Sequence, residues 1–187
     1  MGDWPVAPGR WIAGGSLDTG CESMASHDVL CAANASANGG LNNTGTWPAA
    51  NRAIYIPFEI HTPIIVCKLG WVNAAVLTGN ADAGIYDVNG NRLVSTGNTA
   101  RAGATAAQTV DVADTWLMPG VHHYALVCAS ASGTFFRGGV GCAQLMQASG
   151  ITHEGLGSAV LPATTTFPST GGAYIPYAYI AFNAAVA

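Results

Sequence analysis

Charge is what this sequence has least of. Lys and Arg number 6 and Asp and Glu 10 in 187 residues, so charged residues make up 9% of the chain, against roughly 25% in an ordinary soluble domain. Six basic residues and a net charge of -4 provide no patch that could neutralise phosphates, which excludes nucleic acid as an expected partner. Long apolar runs are also lacking. Gly, Pro or a polar residue cuts each within about ten residues, so no membrane span is expected. The opening MGDWPVAPGRW has no basic segment followed by an apolar run, which argues against a secretory signal, and Val6 stands where N-myristoylation wants Ser or Thr. Cys21, Cys31, Cys67, Cys128 and Cys142 are odd in number and show no CxxC spacing, so neither a disulfide framework nor a zinc site is expected. Cys67 and Cys128 read instead as small core hydrophobes, which suits synthesis in a reducing cytoplasm.

Catalytic signatures are equally sparse. GxSxG, HExxH and phosphate-loop patterns are absent, and Gly138-Gly139-Val140-Gly141 lacks dinucleotide-binding spacing. Asp18-Thr19-Gly20 matches the aspartic-protease tripeptide, but Gly14-Gly15-Ser16 precedes it where an apolar strand is needed and Cys21 follows, so it reads as a turn. His122 and His123 are neighbours on a presumed strand, point to opposite faces and cannot chelate one metal as a pair. Asp87, Asn89 and Asn91 resemble the start of a calcium loop without its distal glutamate. The sequons at Asn34 and Asn42 mean nothing without secretion. No cofactor, metal or catalytic residue is expected.

What is present is strand periodicity. Ile54, Ile56, Phe58 and Ile60 alternate with Tyr55, Pro57 and Glu59, and Ile65, Cys67, Leu69 and Trp71 alternate with Val66, Lys68 and Gly70. Asn89-Gly90 between short apolar runs predicts a hairpin whose two central residues take positive φ. Thr109–Val112 reads as a strand, and Trp116-Leu117-Met118 leads into a Pro119-Gly120 turn. After that turn comes VHHYALVCA, apolar enough to be buried on both faces, and then a short Thr134-Phe135-Phe136 strand. Residues 141–147 could form a turn or two of helix around Leu145 and Met146. The final strand alternates Tyr174, Pro176, Ala178, Ile180 and Phe182 against Ile175, Tyr177, Tyr179 and Ala181. These runs amount to about eight strands, and predict an all-β, antiparallel, jelly-roll-like β-sandwich spanning residues 52–187. A long Gly/Thr/Pro/Ser-rich surface excursion at about 138–172 interrupts it. Residues 1–51, with Trp4, Trp11 and Trp47 set among Gly, Ala, Asn and Ser, read as an extended N-terminal arm.

The RAIYIPFEI strand, GIYDVNGNRLVSTG, QTVDVADTWLMPG, HYALVCA and GAYIPYAYIAF together resemble a small β-sandwich module of tailed-bacteriophage virion proteins. The likeness runs from Arg52 to Phe182 and is least at 138–172. It implies a non-enzymatic role on the exterior of the virion, as a capsid decoration (cement) protein binding the major capsid protein and copies of itself, by analogy as a homotrimer. Trp4, Trp11 and Trp47 would then be capsid or subunit contacts, and the sandwich edges would be covered by the arm or by a neighbouring subunit. The alternative implied is a tail-fibre or receptor-binding module whose Tyr177 and Tyr179 stack on a host glycan.

Overall fold

The computed structural model describes residues 44–137, 150–168 and 174–184, together with the backbone of strands at 12–13, 17–18 and 28–31. The strands in chain order are β1 (Ile12–Ala13), β2 (Leu17–Asp18), β3 (Asp28–Cys31), β4 (Thr44–Thr46), β5 (Arg52–Ile60), β6 (Ile64–Val72) and β7 (Ala81–Asp87). They continue with β8 (Arg92–Ser95), β9 (Ala107–Leu117), β10 (Gly120–Cys128), β11 (Thr134–Phe136), β12 (Thr152–Gly155) and β13 (Ala178–Ala184). Among the described residues there is no helix, and residues 141–147, where one was expected, lie outside them.

Two antiparallel sheets form the body, a five-stranded one in the order β12-β5-β10-β7-β8 and a four-stranded one in the order β3-β13-β6-β9. Setting β12 aside, eight strands pair as nested hairpins: β7 with β8, β6 with β9, β5 with β10, and β3 with β13. That nesting, folded over into two layers, is the jelly roll. The fold expected from periodicity is therefore the one observed.

Alternation explains the core. Ile54, Ile56 and Phe58 of β5, Tyr124 and Leu126 of β10, and Ala83 and Ile85 of β7 face Val66, Leu69 and Trp71 of β6 and Ile180 and Phe182 of β13. The Tyr124 hydroxyl crosses between the layers and donates to the Gly70 carbonyl at 2.8 Å, so a fully buried phenol is satisfied. In β6 the expected phase is half right. Leu69 and Trp71 point inward, but the inward residues before them are Ile64 and Val66 rather than Ile65 and Cys67. A β-bulge between Val66 and Lys68 shifts the register against β9, and the register against β13 shifts at the same place. One unpaired residue reverses the faces on either side of it. Cys67 sits at that irregularity, half-buried, with its thiol 3.5 Å from the Ala181 carbonyl. Cys128 is buried in the core as expected.

The β7–β8 hairpin forms at Asn89-Gly90 with a different turn from the predicted one. Among its residues only Gly90 takes a positive φ, of 82°, and its N–H donates to the Asp87 carbonyl at 3.1 Å. This is a type I turn closed by a glycine bulge. The Asp87 carboxylate selects it by accepting from the N–H groups of Asn89 at 2.9 Å and Asn91 at 2.8 Å, and from the Asn91 side chain. Those hydrogen bonds account for the calcium-loop likeness.

Two boundaries move. The sandwich starts before Arg52, because β4 pairs with β11 and Trp47 lies in the core, 1% exposed, with its indole N–H donating to the Arg52 carbonyl at 2.8 Å. The ring packs against Phe135 and Tyr174 at centroid distances of 4.9 and 5.3 Å. Upstream of it, β3 pairs with β13 and so makes residues 28–31, read from the sequence as part of the arm, an edge strand of the four-stranded sheet. The second boundary is the excursion. Of the expected surface excursion, 138–149 and 169–172 lie outside the described residues, and residues 150–167 form a strap across the outer face of the five-stranded sheet: β12 pairs with β5 at one edge, and the Arg92, Asn91 and Gly90 backbone binds Ala163, Thr164 and Thr165 at the other.

Candidate functional site

The residues singled out from sequence do not converge. Trp4 and Trp11 lie outside the described residues. Trp47 is buried within its own chain, so it has no surface to offer a neighbour and is corrected from contact residue to core residue. Tyr177 is only 7% exposed, which removes it as a sugar-stacking platform. Tyr179 is half-buried, with its ring over Gly70, where an added Cβ would meet the ring at 2.2 Å, and its hydroxyl bonded to Thr109. Asp18 ends the short strand β2, and Thr19 and Gly20 lie outside the described residues.

His122 and His123 point to opposite faces, as their adjacency requires. The His122 ring lies 5.7 Å from Phe58, and its Nε2–H donates to the Met118 carbonyl at 2.9 Å, leaving Nδ1 bare and buried. His123 faces outward beneath the strap, stacked on Phe167 at 3.9 Å with 24° between the planes. Among the described residues no group of three or more His, Cys, Asp or Glu is placed to hold a metal ion.

Two places nevertheless concentrate unusual chemistry. The first is the tip between β9 and β10, where Trp116 is 57%, Met118 60% and Val121 43% exposed. Leu117 takes the inward position, opposite Ile64, so strand geometry turns Trp116 outward beside Ile65, and Met118 sits on the turn that follows. Three large apolar side chains thus project at one end of the sandwich. At this end of β9 only one face is covered, so Leu117 is buried while its neighbour Trp116 is not. Next to the tip, β9 is the open edge of the four-stranded sheet and exposes most of its alternate side chains, with Asp111 paired to Lys68 at 2.8 Å.

The second place is the strap and the sheet face beneath it. Ala53, Tyr55, Tyr86, Ala125 and Val127 form an outward-facing apolar layer that Ala159, Leu161, Leu156 and Phe167 cover. Its phenols and carboxyls are matched, whereas His123 Nδ1 beneath the strap is not. Glu154 Oε2 accepts from the Tyr55 hydroxyl at 2.7 Å and from Thr165 at 3.0 Å, and the Tyr86 hydroxyl donates to the Pro162 carbonyl at 2.6 Å. Buried Asp82 accepts from the Leu161 N–H at 2.9 Å and from Thr96 at 3.2 Å, while Arg92 donates to the Leu161 carbonyl. Burial holds both phenols, Tyr55 and Tyr86, protonated well above the usual tyrosine range, and raises the Asp82 carboxyl. Hydroxyls that stay protonated and donate to strap acceptors are fasteners rather than reactive groups.

No protein-family model matches the chain, and no curated protein matches it.

Elsewhere, buried Arg101 makes a second polar centre. Its guanidinium donates to Asn73 Oδ1 at 2.9 Å and to the carbonyls of Thr78 and Thr134, and lies 3.8 Å over the Phe135 ring. All these partners are neutral, and burial lowers its pKa. Asn73, fully buried, binds it to the Trp71 indole and to Gln108, so this centre ties the loops at one end of the sandwich together.

Proposed function

We propose that this chain is a non-enzymatic structural protein of a bacteriophage virion, a capsid decoration protein that binds the outer surface of the head through apolar contact. The observation that carries the reading is the projecting tip of Trp116, Met118 and Val121 on a chain with only 9% charged residues. Exposed Trp and Met clustered at one end suit a contact surface, because aromatic side chains bring large area at small entropic cost. The jelly roll supports the same reading as a rigid carrier, although the fold alone serves many functions. Trp4 and Trp11 remain arm contacts in this proposal, with the major capsid protein and copies of the chain, as a homotrimer, for partners. The tail-fibre alternative has less support, since Tyr177, one of the two aromatics it relies on, is buried.

The first test is abundance. Quantitative mass spectrometry of purified virions should find this protein near-stoichiometric with the major capsid protein. A few copies per particle would favour the tail-fibre reading, and absence would end both. Trp116→Ser with Met118→Ser should then weaken binding to undecorated heads at least tenfold without lowering the thermal midpoint. Unchanged binding would remove the tip from the contact surface.

A further inference from the structure

The strap covers an apolar sheet face, and its central fastening is unlike the rest. Phe167 is inserted among three rings, stacked on His123 at 3.9 Å and edge-on to Tyr55 at 5.3 Å and Tyr86 at 6.3 Å. Its φ is +50°, a left-handed conformation that a bulky residue adopts only when its surroundings hold it there. Thr165 Oγ1 holds it by accepting from the Phe167 N–H at 3.1 Å and donating to Glu154. Against this stands one unsatisfied atom at the same spot: His123 Nδ1 is buried and has no hydrogen-bond partner.

We propose that residues 150–167 are an acid-released latch, in which protonation of His123 drives Phe167 out of its stack and frees the strap from the five-stranded sheet.

The physical reason is local. A proton on His123 adds an N–H donor that has no acceptor and a buried charge that meets the Phe167 ring face but no carboxylate. On its own strand the nearest ionisable group is His122, of the same sign when protonated. From β5, Pro57 lies directly opposite, flanked on that face by Tyr55, already donating to Glu154, and by exposed Glu59. From β7, Tyr86 lies opposite with its hydroxyl on Pro162, Asp82 is engaged by Leu161 and Thr96, and Asp87 is opposite His122. Arg92 of β8 is cationic, and Glu154 of β12 is held by Tyr55 and Thr165. Residues 156–167 carry no ionisable side chain. No carboxylate therefore offsets the burial, and the imidazole is pushed down to about 4, first by desolvation and then by His122.

In the released strap the ring returns to an ordinary imidazole value of about 6.5. The closed state then loses ground as pH falls from about 6.5 towards about 4. At pH 5 the full linkage is about thirty-fold in the open-to-closed ratio, and solvent at the partly exposed ring reduces this to about ten-fold. The inference does not depend on the virion reading, since it concerns only the strap and the sheet beneath it.

Hydrogen exchange on the full chain tests it. After correction for the chemical rate, the amides of Leu161, Thr165 and Phe167 should exchange about ten-fold faster at pH 5 than at pH 7.5, with β10 amides unchanged. His123→Phe keeps the stacked ring without the proton, and should hold the strap at both pH values. Equal strap protection at both pH values in the unaltered protein, or acid release that persists in His123→Phe, would overturn the proposal. Should that variant not fold, NMR titration of the unaltered protein decides. A His123 midpoint below 6.5, with the Phe167 ring signals moving to solvent-exposed values at the same midpoint, supports the latch; a midpoint of 6.5 or Phe167 signals that stay in place refute it.

Discussion

Replacing Trp47 by Ala separates a core residue from a contact residue. The indole is 1% exposed, touches Phe135 and Tyr174, and donates to the Arg52 carbonyl at 2.8 Å. A buried Trp removes about 150–250 Å² from water, which at about 25 cal/mol/Å² comes to some 4–6 kcal/mol. The part that Ala retains, and the partly collapsed denatured chain, bring the expected loss to about 4 kcal/mol, within the range for large-to-small core changes. With a urea dependence of about 2–3 kcal/mol/M, the unfolding midpoint should fall by about 1.3–2 M. Trp47→Phe keeps most ring contact and loses the hydrogen bond, so it should cost about 1–2 kcal/mol. Urea unfolding followed by tyrosine and tryptophan fluorescence reads both. An unchanged midpoint in Trp47→Ala would refute the reasoning and return Trp47 to the role of an external anchor.

Arg101→Lys should cost about 2–3 kcal/mol, because one ammonium cannot replace three directed hydrogen bonds and a planar contact on Phe135; a thermal midpoint equal to that of the parent would contradict this. Gly90→Ala should destabilise by about 1–3 kcal/mol, since Gly90 has a φ of +82° and an added Cβ would lie 1.8 Å from the Thr165 carbonyl oxygen. Strap amides should lose protection first in that variant, and loss confined to β7 would argue against the contact. Stability should also fall with acid. His123 and His153 are neutral when folded, with pKa values pushed below the ordinary 6.5 mainly by burial, so their contribution is complete above about 6.5 and is lost as pH drops below it. Asp82, raised by burial, works the other way and stabilises as pH falls towards 4. The net effect expected between pH 7.5 and pH 5 is a loss of about 1–2 kcal/mol, checked by calorimetry at the two pH values; no change in midpoint would count against it.

How legible the protein was depended on what each residue had for neighbours. In β5 one face is Ile54, Ile56 and Phe58, and strict alternation announced both the strand and its inward side. The same rule failed at Cys67, where the register shifts and a period-two pattern has no means of marking the inserted residue. Asn89-Gly90 located a hairpin, but Asp87, two residues earlier, chose the turn. The strap was the least legible part. Ala159, Leu161 and Phe167 have no common period, and their burial comes from a sheet face distant in sequence, so Gly, Thr and Pro around them read as loop. Trp47 was misplaced for the same reason, since its partners Phe135 and Tyr174 lie far along the chain. Trp116 and Met118 were recognised only as the approach to a turn, because consecutive apolar residues equally fit a strand buried on both faces, as β7 and β10 are.

The nesting of the strand pairs has a consequence for how the protein comes into being. β13 lies between β3 and β6, so a middle strand of the four-stranded sheet is supplied by the most C-terminal of the described strands. While that segment is still in the ribosome, β6 can find β9, yet β3 has nothing to pair with and the inner face bearing Leu69 and Trp71 stays uncovered on one side. Only the hairpins nearest the centre of the nest can form early, since each outer pair closes a longer loop. Until β13 emerges, folding therefore stops at a half-built layer, and completion proceeds from the middle of the nest outward.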